Sequence, residues 1–314
     1  MTAGWAFEAA ATHRWLSFLP SSRKGRKFRQ VLRRKADMSP VVIGLLLASA
    51  LAHAVWNAIV RSGQDRFWSL AIICLVGAIA ALPFAFGLGL PATASWPYLV
   101  LSSVLQIGYS LFLVRAYRDG DLSSVYPIAR GSAPLLVTLA AAVVAGELPN
   151  TAGLTGIFLV SSGIILLTLG NGRPDGKSAI AAFATGIFIA SYMVVDGLGV
   201  RLSERATSYA AWQAVVAGVL IPLSYIVIRR RAPGLPRGKE GALVVGAGIL
   251  GTLGYCIAVW AMSRSTMGGV SAIRETSIVF AALIGTFVLN EKMRWQKFLG
   301  VLVVTAGVVC LSAR

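Results

Sequence analysis

Ten long apolar runs, with no gap between them wide enough for a soluble domain, decide most of what this chain can become. They fall at residues 40–60, 67–90, 96–117, 122–145, 152–170, 177–197, 209–228, 241–262, 268–290 and 296–313. Each approaches the ~20 residues that a helix rising about 1.5 Å per residue needs to cross a hydrocarbon core of ~30 Å. A spanning barrel would instead show alternating segments of ~10 residues, and these runs are continuous. Helices also satisfy their own backbone, as lipid requires. The sequence therefore predicts an all-α membrane protein with ten transmembrane helices, joined by turn-forming stretches such as Gly63 to Arg66, Pro91 to Ser95, Pro149 to Thr151 and Pro233 to Glu240.

Composition excludes the main alternatives. Only 13% of the 314 residues are charged, against about 25% in soluble domains, and a water-facing surface cannot be built from so few. The net charge of +17 is not a nucleic-acid footprint, because nine of the 29 Lys and Arg residues precede Met38 and most others sit between apolar runs. Cys74, Cys256 and Cys310 stand singly in apolar segments and predict neither a disulfide nor a metal site. No P-loop, H-E-x-x-H or G-x-S-x-G motif is present, so no catalytic residues, cofactor or metal are expected.

An internal repeat organises the chain. An offset of 144 residues places Arg130 on Arg274, Glu147 on Glu291, Gly156 on Gly300, Gly163 on Gly307 and Leu167 on Leu311. An offset of 146 places Gly108-Tyr109 on Gly254-Tyr255. Five helices per half is an odd number, so the second half enters the membrane from the opposite side and the two form inverted repeats. The expected units are a basic tail over 1–39, a first repeat over 40–170 and a second over 177–313.

The 5+5 pattern, the endings Gly146-Glu147 and Asn290-Glu291 of segments four and nine, and the glycine-containing helices that follow resemble the two EamA-type repeats of the drug/metabolite transporter (DMT) superfamily. The resemblance covers about residues 40–313. It implies a secondary transporter of a small polar organic molecule, with a cavity lined by both halves. The fragments His53–Asn57 (HAVWN) and Arg274–Gly285 are similar to a subgroup linked with phosphonate use.

Polar residues inside the apolar runs are where function is expected, since a mid-bilayer charge costs ~2.5 kcal/mol or more. Arg130 and Arg274 hold matching positions and offer forked donors for a carboxylate or phosphate; as snorkelling anchors they would merely fix topology. Each precedes its repeat's glutamate by 17 residues, about 25 Å along a helix, which sets it just inside one interface. Glu275, adjacent to Arg274, is a candidate for proton coupling or a static partner of Arg130. Asp196, a second coupling candidate, is expected nearer water. His53, Trp56 and Asn57 share one helical face and can line a cavity or join helices. Tyr109, Tyr126, Tyr192 and Tyr255, with Pro127 and Pro134, complete the set of candidate lining residues. Glu147 and Glu291 are expected to cap the helices that follow them.

The stretch 1–37 carries nine basic residues and no apolar run of signal-peptide length. It reads equally as an arm on anionic lipid or as sequence preceding a true start at Met38. Counting it leaves positive charge nearly balanced, 14 against 13, across the two sides; the family resemblance places both termini in the cytoplasm. The expected partners are a small-molecule substrate, the lipid bilayer and coupled protons, with no nucleic acid. The expected location is the cell membrane, the inner membrane of a bacterium, as monomer or homodimer. An intramembrane enzyme using Glu275, Asp196 and His53, or a membrane sensor without turnover, is the alternative function.

Overall fold

The computed structural model describes residues 38–61, 66–119, 122–167, 176–230, 232, 234, 237–287 and 295–313. The basic tail, Glu291 and the side chains of Tyr126 and Pro127 lie outside the described residues. The helices are α1 (Pro40–Arg61), α2 (Arg66–Leu88), α3 (Trp96–Asp119), α4 (Leu122–Ala145), α5 (Thr151–Leu166), α6 (Gly176–Leu202), α7 (Ala206–Arg229), α8 (Gly238–Met262), α9a (Met267–Glu275), α9b (Ser277–Phe287) and α10 (Trp295–Ser312). Among the described residues there is no strand. Among the described residues nine spans are long and apolar enough to cross a membrane, α9a and α9b together forming one of them. The remaining run, α5, is apolar but has 16 helical residues, about 24 Å. Each of the ten apolar runs thus holds a helix among its described residues.

The distribution of side chains is that of a protein dissolved in lipid. Phe84, Phe158, Ile180 and Val227 point outward and are largely exposed, whereas Arg130, Asp196, Gln213, Arg274 and Glu275 are buried. In water such an apolar surface would drive aggregation. Against hydrocarbon it is matched to its solvent, and the polar groups withdraw to the interior.

Glycine sets how closely the two halves meet. Gly156 of α5 lies against Gly307 and Leu311 of α10, and Gly163 lies against Gly300 and Val304. A methyl group at Gly156 would stand 2.7 Å from the Gly307 carbonyl oxygen, and one at Gly307 would stand 2.8 Å from that of Gly156. Only glycine permits this approach of two backbones. The earlier glycine of α5 meets the later glycine of α10, so the two helices run antiparallel. The contact of Gly156 with Leu311 has its counterpart, 144 residues away in each partner, in the contact of Gly300 with Leu167.

The same exchange relates other helix pairs. α1 packs on α8 as α6 packs on α3, α2 on α8 as α7 on α3, and α4 on α6 as α9 on α1; α2 with α7, α4 with α9a and α5 with α10 map onto themselves. Phe67 meets Tyr225 with ring centroids 5.1 Å apart, and Gly218 meets Ala78, so α2 and α7 are also antiparallel.

The ninth span breaks at Thr276. Its hydroxyl donates to the Ile273 carbonyl at 2.6 Å, and its own amide takes the tight i−3 bond to the same carbonyl. A hydroxyl competing for a helix carbonyl loosens the ladder. The break falls directly after Arg274 and Glu275, leaving α9a as a short, separate, fully buried helix.

Candidate functional site

Seven elements bring the interior polar residues together. Arg130 of α4 places its Nε 2.9 Å from Glu275 Oε2 of α9a, and both side chains are almost wholly buried. Arg130 Nη2 also meets Nε2 of His53 on α1. The other nitrogen of His53 accepts from Trp56 Nε1 at 3.2 Å, with the two rings edge to face at 5.0 Å. Arginine and tryptophan only donate, and a neutral imidazole accepts at one nitrogen. His53 therefore cannot satisfy both neighbours at once.

Arg274 is 6% exposed. Its guanidinium carbon lies 5.0 Å from the ring centroid of Tyr255 on α8, within cation–π range. Its Nε and Nη1 are buried and have no hydrogen-bond partner. Glu275 does not bond to Arg274, because consecutive helix residues point about 100° apart. Its Oε1 is likewise without a hydrogen bond. Two guanidinium groups thus stand beside one carboxylate, and that carboxylate is committed to Arg130.

A second polar group adjoins the first through Tyr255. The Tyr255 hydroxyl donates to Asp196 Oδ2, and Tyr209 on α7 donates to Asp196 Oδ1 at 3.2 Å. Gln106 Nε2 of α3 lies 3.3 Å from the Tyr255 hydroxyl and 3.2 Å from Ser102 Oγ, while Gln213 Nε2 of α7 lies 3.2 Å from the same Ser102. Tyr109, Tyr192 and Tyr255 form a row of edge-to-face rings spaced 5.9 and 6.4 Å.

These positions sharpen the expectations from sequence. Arg130 and Arg274 are both buried inside the protein. Asp196, expected near water, is 0% exposed and holds two phenol hydroxyls. Of the helical face His53, Trp56 and Asn57, only His53 reaches an arginine. Trp56 orients the imidazole and packs on Gly251, and the Asn57 amide turns back to the His53 carbonyl at 2.8 Å. Pro134 lies within α4, four residues after Arg130, and has no amide hydrogen to donate to the helix ladder.

Glu147 corrects a further expectation. The cap of α5 is Asn150, whose Oδ1 accepts from Gly153 N at 2.8 Å. Glu147 Oε1 instead accepts from the Met267 amide at 2.7 Å, capping α9a across 120 residues, while Oε2 pairs with Arg201 Nη1 at 3.0 Å. Gln106, Tyr209 and Gln213 were not among the expected residues. The two amides could have been noticed as lone polar groups within apolar runs.

Antiparallel apolar helices around a buried, charged and aromatic interior define a multi-pass α-helical membrane protein. Residues 176–313 match the EamA-like transporter family. A protein of Bacillus subtilis (strain 168), named as the uncharacterized transporter YwfM, is 24% identical over 232 residues, 70% of this chain and 74% of that protein. A solved structure titled only as the crystal structure of a protein shares the fold with a TM-score of 0.70 at 18% identity, covering 86% of this chain and 94% of its own. The second half of the chain thus carries an EamA-like transporter domain.

Proposed function

We propose that the protein is a secondary transporter of a small polar organic anion, working by alternating access between two five-helix halves in the membrane of a bacterial cell. The observation that carries the anionic part is Arg274. A buried cation whose Nε and Nη1 lack hydrogen-bond partners is costly, and an entering carboxylate, phosphonate or phosphate relieves that cost with charge-assisted bonds. Tyr255 supplies the face on which the guanidinium rests, Tyr109 and Tyr192 extend an aromatic wall, and Arg130 with His53 provides further donors. The antiparallel pairing of α5 with α10 and of α2 with α7 supports an inverted arrangement of the halves. Glu275 and Asp196 are the interior carboxylates available to carry a coupled proton.

The reading is tested by reconstituting the purified chain into liposomes and offering amino acids, nucleosides, organic acids and phosphonates. Uptake of an unmodified anion down an imposed gradient is expected. Chemical conversion without uptake would instead favour an intramembrane enzyme built on Glu275, Asp196 and His53.

A further inference from the structure

We infer that Glu147, Arg201 and the amide of Met267 form a latch that holds one end of the helix bundle closed and sets the position of the arginine-bearing helix α9a. This rests on the alternating-access reading above and adds a specific contact that must part for that end to open. Four chain ends converge there. Glu147 follows the end of α4, Arg201 lies in the last turn of α6, Met262 ends α8 with Ser265 just beyond it, and Met267 begins α9a.

Every donor group of Arg201 is engaged: Nε with the Met262 carbonyl at 3.0 Å, Nη1 with Glu147 Oε2 at 3.0 Å and Nη2 with the Ser265 carbonyl at 3.0 Å. Both Glu147 oxygens are engaged too, one by Arg201 and one by Met267 N. Glu147 comes from the first half of the chain, and both partners of its carboxylate come from the second. Separating the halves at this end therefore breaks the ion pair and the cap together.

The contact acts on the candidate site through α9a. The helix has nine residues, tied to Glu147 at Met267 and released from α9b at the Thr276 break. Arg274 lies seven residues beyond Met267, about 10 Å along the helix. So short an element moves as one body, and losing its cap shifts the Arg274 guanidinium. A carboxylate at this helix start also complements the helix dipole.

The test reads exposure at the two ends of the bundle without any substrate. Ser265→Cys reports the latched end and Ser178→Cys, near the start of α6, reports the other; both native residues are buried. In liposomes, labelling by a membrane-impermeant thiol reagent is located by peptide mass spectrometry, so the native cysteines remain. Glu147→Gln is expected to raise labelling at position 265 at least about fivefold and to lower it at 178, the range typical of a coupled two-state shift. Arg201→Lys, which loses the forked donors but keeps the charge, is expected to do the same more weakly. A rise at 265 with no change at 178 would show a static tie and overturn the latch, as would no change at either. Failure of the transport reading would show separately, in the flux of the unmodified protein.

Discussion

Arg130 and Glu275 form a buried ion pair of 2.9 Å that joins α4 to α9a, the two helices related by the 144-residue repeat. Arg130 thus finds its carboxylate not in its own half but in the neighbour of its repeat counterpart, Arg274. The duplication supplies two arginines, and Glu275 breaks the symmetry by neutralising one of them. The other, Arg274, keeps its Nε and Nη1 without a hydrogen-bond partner.

Removing one member of this pair strands a charge in the interior. Arg130→Ala and Glu275→Ala are each expected to destabilise the protein by about 3–5 kcal/mol, while the double variant Arg130→Ala/Glu275→Ala loses less than the sum. Thermal melting of the four proteins in nanodiscs checks this. Additive losses would mean that the two side chains do not interact.

Close packing of α5 on α10 depends on an absent side chain. Gly307→Ala places a methyl group 2.8 Å from a backbone oxygen and is expected to cost about 1–3 kcal/mol through overpacking. Gly44→Ala, where no atom lies within 4 Å, is expected to be nearly neutral. Melting temperatures of the two variants distinguish them, and equal values would contradict the glycine contact.

Tyr255 serves two groups at once, its ring under Arg274 and its hydroxyl on Asp196. Tyr255→Phe keeps the ring and is expected to leave anion affinity within about threefold of the parent. Tyr255→Leu removes the cation–π contact, worth about 0.5–2 kcal/mol, and is expected to weaken binding further. Titration of the transported anion against both variants by calorimetry reads the difference. Equal affinities would remove the ring from the site.

Glu275 is the coupling candidate nearest the arginines. Glu275→Gln is expected to abolish uptake driven by an imposed pH gradient while preserving exchange of labelled for unlabelled anion across the membrane. Retained pH-driven uptake would move coupling to Asp196 or remove it altogether.

The sequence made the architecture legible because lipid imposes it: length and continuity of the apolar runs follow from bilayer thickness, and glycines 156, 163, 300 and 307 repeat at a fixed offset. The arginine pair was legible for the same reason, since a charge within an apolar run stands out. The partners were not. Tyr209 and Asp196 are 13 residues apart but on different helices, and Glu147 reaches Met267 across 120 residues, so helical spacing carries no trace of either contact. Asp196 was expected near water because it lies late in its apolar run. In the fold, α6 continues to Leu202 and α7 and α8 cover that carboxylate with tyrosine. Glu147 was assigned to the nearest helix start, although Asn150 already caps it.

Uptake by Arg274→Ala in proteoliposomes, at matched protein content and insertion, tests the account most directly. If Arg274 holds the negative group of the transported molecule, uptake at subsaturating anion falls at least about thirtyfold, as expected for the loss of a buried charge-assisted contact, and Arg274→Lys restores part of it. Uptake by Arg274→Ala at the rate of the unmodified protein would contradict the account.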